Sequence, residues 1–368
     1  MNKKISRRTA LQLMAMTATT FLVSCNNSTI VDRTRTPSQT PTHPSDPTAT
    51  LTAEARQETE QLPDPTATSQ TEVGQETEVP EGSATVYMTE DISTDGLMKI
   101  YEALGRKAKG KVAVKIHSGE PSGHYFLQPD FIAPLVNEVR GTIVECNTAY
   151  PGRRSDTESH LRVMEEHGFT AIAPVDIMDA DGTISIPITG GKHLKEDVVG
   201  SHFANYDFVV NLAHFKGHMM GGFGGVLKNM SIGIASSMGK SLIHSAGTQT
   251  TGFGMGTPQD PFLESMAEAA KGIADYLGEN ILYINVMNNL SVDCDCMSNP
   301  TAPTMADIGI LASLDPVALD QACVDLIYAA PDGEDVIQRI ESRNGSHILE
   351  HAEAIGLGTR KYELVNIG

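Results

Sequence analysis

From residue 85 onward the chain alternates short apolar runs with segments of helical period, and this alternation restricts the fold more than any other feature of the sequence. Residues 85–88, KVAVKIH (111–117), GTIVEC (141–146), DFVVNLA (207–213), NILYINVMN (280–288) and DIGILA (307–312) read as strands. Residues 94–109, 129–140, 155–167, 262–277 and 316–328 read as helices; in the first of them Leu97, Ile100, Tyr101 and Leu104 fall on one face. Pro129 and the Asp315-Pro316 pair suit helix starts, and Gly168 suits a helix stop. Strands separated by helices in this way pair in parallel. The expectation is an α/β body over 85–368, with a largely parallel sheet flanked by helices, in two lobes. The competing arrangement is one continuous sheet with a long excursion near 176–206. Sites in such sheets lie beyond the carboxyl ends of the strands. That directs attention to the loops 117–128, 147–156 and 214–229, and to 289–305, which joins two strands.

The first 84 residues have a different character. Residues 1–25 place Lys3, Lys4, Arg7 and Arg8 ahead of an apolar, small-residue stretch, the layout of an export signal rather than of a fold element. The Arg7-Arg8 pair in SRRTAL is similar to a twin-arginine signal, with Ala10 where an aromatic is usual. Leu22-Val23-Ser24-Cys25 is similar to a lipoprotein processing site, which would make Cys25 the lipidated first residue of the mature protein; the other reading is an ordinary cleaved signal with an incidental Cys. Residues 26–84, rich in Thr, Pro, Ser, Gln and Glu, have almost no large apolar side chains to offset chain entropy, so a disordered tether is expected there. The protein is therefore expected outside the cytoplasm, held on the membrane by a lipid. No apolar run reaches the roughly 18–20 residues of a spanning helix.

Charge narrows the partners. The chain carries 27 Lys and Arg against 46 Asp and Glu, a formal charge of −19. Such a chain repels phosphate backbones, and with 5% aromatic residues and no Trp it lacks stacking platforms, so nucleic acid is excluded as a partner.

Four constellations can carry chemistry. Cys294-Asp295-Cys296 offers two soft thiolates one residue apart, with Asp293 beside them, suited to a transition metal or an iron–sulfur centre. A disulfide is the other reading, because exported proteins oxidise paired thiols. In HFKGHMMGGFGGVLKN, His214 and His218 follow a strand and can converge on the same metal. Lys216, Lys228 and His218 are candidate catalytic or substrate-binding groups. Gly221, Gly222, Gly224 and Gly225 present unobstructed N–H groups which, with Lys228 and Asn229, can cradle an anionic ligand or cofactor. In ECNTAYPGRRSDT, Arg153 and Arg154 can grip a carboxylate or phosphate, while Cys146 reads as a buried structural thiol. In VKIHSGEPSGHYFLQP, Lys115 at a strand end has to be paired or solvated, and His117, Glu120 and His124 follow it. His244, in MGKSLIHSAG, is a weaker candidate; Asp320 and Cys323 read as core or surface residues.

The blocks AVKIHSGEPSGHYFLQPDFIAPLV, ECNTAYPGRRSDTESHL, NLAHFKGHMMGGFGGVLKNMSIG and CDCMSNPTAPTMADIGILASLDPVALDQACVDLI, in this order, resemble the domain-of-unknown-function 362 family of uncharacterised iron–sulfur-centre proteins, over roughly residues 85–366. Relatives often carry ferredoxin-type Cys clusters; this chain has no C-x-x-C-x-x-C run, and Met297 stands where a His often follows the Cys pair. The resemblance and the candidates together imply an exported, membrane-anchored protein with an iron–sulfur cluster or a single transition-metal ion, acting in redox with an anionic small molecule or a redox partner. Two other readings stand beside it: a non-catalytic lipoprotein receptor for an anionic small ligand, and a metal-free acid/base enzyme acting on a hydroxy or carboxylic acid. The anchoring expectation has a direct test: Cys25→Ala should move the protein from the membrane to the soluble exported fraction, and retention on membranes would count against lipidation.

Overall fold

The computed structural model describes residues 82–368; the expected export signal (1–25), Cys25 and nearly all of the expected tether (26–84) lie outside the described residues. The body opens with β1 (Ala84–Thr89), α1 (Thr94–Ala103), β2 (Val112–Lys115), α2 (Pro129–Glu138), β3 (Thr142–Glu145), α3 (Thr157–Glu166), α4 (Phe169–Ile172) and β4 (Val175–Ile177). A hairpin of β5 (Thr183–Pro187) and β6 (Glu196–Gly200) precedes β7 (Phe208–His214). A second, tight hairpin of β8 (Lys216–His218) and β9 (Gly222–Gly224) leads into α5 (Val226–Ser231), α6 (Ser237–His244) and α7 (Gln259–Leu277). Then come β10 (Ile281–Met287), β11 (Gly309–Ser313), α8 (Pro316–Ala329), α9 (Glu334–Ser342), α10 (His347–Ala354) and β12 (Tyr362–Asn366).

Eight strands form one sheet in the order β12-β1-β11-β10-β7-β2-β3-β4. The five strands from β10 to β4 are mutually parallel, β12 is parallel to β1, and β11 is antiparallel to both of its neighbours. The sheet is mixed and mostly parallel, as the alternation of apolar runs implied. Its core has two faces set by the period of two along each strand. Along β7, Phe208, Val210 and Leu212 pack on one side with α1 and α2, while Val209 and Ala213 pack on the other with α5, α7 and α8. Two lobes are not seen: the described body is one compact unit, and the excursion near 176–206 is the β5–β6 hairpin laid beside the single sheet.

Helix boundaries follow their caps. Ser93 accepts the Gly96 N–H and starts α1, which stops six residues before the expected end because Gly105 turns the backbone left-handed. Asp315 accepts the N–H groups of Val317 and Ala318 and starts α8, with Pro316 in the first turn. Because β11 runs against β10, the connection between them leaves and re-enters the sheet at one edge. That is the edge where β2, β3 and β7 end, so the Cys294–Cys296 segment lies there as well.

One buried group in the hairpin titrates against the fold. Asp197, the second residue of β6, is 1% exposed, and burial lifts its carboxyl to about 8, with Lys240 and the Val198 N–H offsetting only part of that rise. The folded chain thus holds a proton that the unfolded chain releases in the ordinary carboxylate range, so this group's contribution to stability falls as pH rises through that window. In denaturant unfolding at about pH 5 and about pH 8, Asp197→Asn should gain stability relative to the wild type as pH rises. Parallel pH profiles for the two proteins would refute the assignment.

Candidate functional site

Three parallel strands end in charged or polarisable residues: Lys115 on β2, Glu145 on β3 and His214 on β7. Lys115 is fully buried and donates from Nζ to Glu145 Oε2 at 2.8 Å, to Asn229 Oδ1 at 3.0 Å and to its neighbour's carbonyl, Ile116 O. Glu145 Oε1 accepts from the Ser118 N–H at 2.8 Å, the Ser118 hydroxyl at 3.0 Å and Arg154 Nη2 at 3.2 Å. Arg154 also donates to Glu120 Oε1 at 2.9 Å, and the Tyr150 hydroxyl donates to that same oxygen at 2.5 Å. Two buried cations thus face two buried carboxylates. Burial works to raise Glu145, but Lys115 and Arg154 outweigh it and hold the carboxyl well below its usual range. For Lys115 burial wins over Glu145, and its amine is lowered. Arg153 does not join the network: it lies outside, exposed, on Glu166. His124 is exposed too.

The residues of the His214–His218 segment separate into different roles. Both ring nitrogens of His214 face oxygens of the protein, Asp295 Oδ2 at 2.7 Å and Asn288 O at 2.8 Å, so neither is turned to a metal. Lys216 Nζ donates to Tyr125 O at 3.1 Å and lies 3.0 Å from Asp295 Oδ1. His214 and Lys216 therefore pin Asp295 in place, and neither completes the metal set nor meets an anion expected from outside. His218 does approach the cysteines: its donor atom and those of Cys294 and Cys296 lie within 4.8 Å of one another. This His/Cys/Cys cluster is consistent with a single transition-metal ion, since imidazole and thiolate together suit zinc, iron, copper or nickel. Cys294 and Cys296 are joined as a disulfide. Cys146, which lines the neighbouring cavity and donates to Ile234 O, and Cys323 are free buried thiols outside this group, so no four-cysteine set for a cluster assembles among the described residues.

The glycine-rich segment does cradle an anion, but that anion is the protein's own. Asp320 of α8 accepts the Val226 N–H at 2.9 Å and the Leu227 N–H at 3.0 Å, which occupies the first turn of α5, and Asn285 Nδ2 donates to it at 2.7 Å. A Cβ on Gly225 would lie 2.2 Å from Asp320 Oδ1, so only glycine admits this contact. Gly222 sits at φ +81° in the β8–β9 turn, against Gly345. Gly224 and Gly225 border a side cavity of 30 Å³. The expected cofactor cradle of Gly221, Gly222, Gly224 and Gly225 is therefore a device for close packing, with Asp320 in the place foreseen for a ligand. Asn229 likewise holds the protein together, taking Lys115 Nζ on its oxygen and donating to Lys115 O at 3.0 Å and Asn211 Oδ1 at 2.7 Å.

The open space is a neighbouring cavity of 410 Å³, lined by Arg154, His117, His218, His244, Lys228 and Cys296 among others. Hydrogen bonds settle the imidazole tautomers. His117 takes the Gly119 N–H on Nδ1 at 3.0 Å and turns Nε2 to the Arg154 guanidinium at 3.4 Å, so both its nitrogens face donors of the protein. Gly221 N–H donates to His218 Nδ1 at 2.8 Å, so that neutral ring carries its proton on Nε2. His244 is reversed: Nδ1 lies 2.6 Å from Lys240 O, which only accepts, so the lone pair is on Nε2. All three rings are neutral. Burial followed by the Arg154 charge pushes His117 far down, burial followed by Lys228 does so for His218, and burial takes His244 to about 4. Lys228, open to the cavity, is lowered to about 8 by burial and then by Lys115. His244 proves a stronger candidate than its sequence context implied. Glu145 escaped notice in the sequence, where its one signal was a charge closing an apolar strand.

Comparisons with known proteins follow this geometry. The model of the family described as "Domain of unknown function (DUF362)" matches residues 112–325, more than half of the chain and the stretch that holds every group above. No curated protein matches. Among solved structures, the chain is similar to the lactate racemase apoprotein from Thermoanaerobacterium thermosaccharolyticum, at 17% identity and a TM-score of 0.37. The likeness covers 56% of this chain and 50% of that one, so the chain spans half the length of that structure.

The charge network makes a stability prediction. Glu145→Ala strands Lys115 and Arg154 without their shared partner, and removing one member of a buried pair costs about 3–5 kcal/mol. Denaturant unfolding of the variant should show a loss of that order, and a loss under about 1 kcal/mol would mean that water or Glu120 replaces the carboxylate.

Proposed function

The chain belongs to the DUF362 family, whose description assigns no reaction, and from its own cavity we propose an acid/base enzyme acting on a small carboxylic or hydroxy acid. The observation that carries this reading is the pairing of opposite imidazole tautomers in one cavity: His244 presents a bare Nε2, and His218 presents an Nε2–H. A base and an acid that are both neutral at physiological pH are the pair needed to take a proton from one atom and deliver one to another. The lining favours an anion, since Lys115, Arg154, Lys228 and Lys240 face Glu145 alone among carboxylates there. Lys115 and Arg154 are committed to carboxylates and Lys240 Nζ to the Ala235 carbonyl at 2.5 Å, whereas Lys228 Nζ has a sulfur, Cys294 Sγ at 3.9 Å, as its hydrogen-bond partner. Lys228 is thus the cation left to hold a substrate carboxylate. His244 then accepts the proton next to that carboxylate and, with no metal bound, His218 donates from Nε2. A transition metal held by His218, Cys294 and Cys296, when bound, supplies a Lewis acid at the edge of the cavity.

A receptor that binds an anion and turns nothing over rests on the same cationic lining, but gives no reason for the two tautomers. For the setting, residues 1–25 support export and lipid anchoring through Cys25, with residues 26–84 as the tether.

The test is exchange of carbon-bound hydrogen in D2O, followed by NMR across a panel of small 2-hydroxy and carboxylic acids. The wild type should incorporate deuterium next to the carboxylate of one member, and His244→Ala should lower the rate about 10²–10⁴-fold. The rate should fall as pH drops through about 4, because His244 then becomes protonated and loses its lone pair. Binding without exchange would establish the receptor reading instead, and no binding to any member would sink both.

A further inference from the structure

Two sulfurs serve two incompatible roles at this site. As a disulfide, Cys294 and Cys296 have no thiolate to offer; as a dithiol they complete the donor set with His218. We infer that a dithiol reductant opens the Cys294–Cys296 disulfide and thereby admits a divalent transition metal to the His218 site, so that cation loading is gated by a two-electron thiol exchange. The inference concerns the cysteine edge of the cavity in the proposed function, and it is read on cation binding, not on turnover.

The bond is poorly suited to a structural role. It closes a loop across a single intervening residue, and the stabilisation a cross-link confers grows with the length of the loop it closes. The segment is also held without it. Asp295, between the two cysteines, is 5% exposed and bound by His214 and Lys216, and its carbonyl accepts the Glu120 N–H at 3.1 Å. Asp293 is fastened separately by the Thr301 hydroxyl at 2.7 Å and Arg339 at 3.3 Å. Opening the disulfide therefore leaves both sulfurs near their present positions, as a reversible site requires.

The surroundings set the direction of attack. Cys296 is half-buried and lines the cavity, whereas Cys294 is 7% exposed. The first thiolate of the reductant attacks Cys296 Sγ and forms a mixed disulfide. The Cys294–Cys296 bond breaks, and its electron pair leaves on Cys294. Lys228 Nζ, 3.9 Å from that sulfur, is the cation that stabilises the departing thiolate. The second thiol of the reductant then attacks its own sulfur in the mixed disulfide and releases Cys296, so the reductant ends as a disulfide and the protein gains two electrons and two protons. Binding of the divalent cation displaces both thiol protons. Whichever nitrogen of His218 ligates, the ring gives up the bond from Gly221 N–H, because Nδ1 either takes the metal or takes the ring proton.

Cobalt(II) is the probe, added to the full chain in air-oxidised form and again after treatment with dithiothreitol and its removal under anaerobic conditions. The oxidised protein should bind none at the site. The reduced protein should bind one equivalent with a sulfur-to-cobalt charge-transfer band, and reoxidation should release it. His218→Ala should weaken the reduced-state affinity at least about tenfold. Lys228→Met should slow reduction several-fold while leaving the number of thiols released unchanged. If Cys294→Ser with Cys296→Ser does not fold, reduced wild type alkylated with iodoacetamide replaces it, and either should lose the cobalt band. Equal cobalt binding by oxidised and reduced protein, or none by the reduced protein, would overturn the gate. Hydrogen exchange measured on the oxidised protein reads the acid/base proposal separately, so the two can fail independently.

Discussion

Everything at the carboxyl edge of the sheet depends on the buried contact between Lys115 and Glu145. Each residue closes an apolar strand, and alone each would be a charge trapped in a low-dielectric interior at a cost of several kcal/mol. Adjacent parallel strands bring the two to 2.8 Å, and Arg154, Ser118 and Asn229 satisfy the remaining donors and acceptors. Arg154 brings a second buried cation to Glu145, and Glu120 supplies the carboxylate that balances it. That is why the loop 147–156 folds back over the strand ends and why Tyr150 stands at the cavity wall.

Two further carboxylates do for the other loops what Glu145 does for the strands. Asp320 reaches from α8 to the first turn of α5, and Asp295 sits between His214 and Lys216. In each case an internal anion occupies a place that, in isolated sequence, looks built for an external ligand. Positive groups left over after these internal pairings, Lys228 above all, are the ones with reason to meet a substrate. The histidines obey the same logic. His214 is used up by Asp295 and a carbonyl, and His117 by the Gly119 N–H and Arg154, while His218 and His244 each spend one nitrogen on the backbone and keep the other for the cavity.

Hydrophobic period was enough to read six of the eight strands of the sheet and the helices α1, α2, α3, α7 and α8, because a buried strand is a nearly continuous apolar run and a flanking helix shows its apolar face every third or fourth residue; the edge strands β4 and β12 went unread. It was not enough for β8 and β9. Each has three residues, too few for a period of two to show. Nor could it separate one sheet with an excursion from two lobes, since β5 and β6, at five residues each, show no period that says which sheet they join. The loops that carry the site were legible as polar segments after strands, and Cys294, Cys296, His218 and Lys228 were visible within them.

The sequence by itself determined the α/β class, the edge of the sheet where the site lies, and the residue types available there. Tertiary structure alone decided which of those residues are free. The decisive partners are far apart in the chain: Lys115 and Glu145 by 30 residues, His214 and Asp295 by 81, Val226 and Asp320 by 94. A lysine, histidine or glycine-rich turn has the same local sequence whether its partner is a ligand or the protein's own carboxylate. Only the packing of strands side by side, which sets which ends are neighbours, distinguishes a group already neutralised inside the fold from one left to face the cavity.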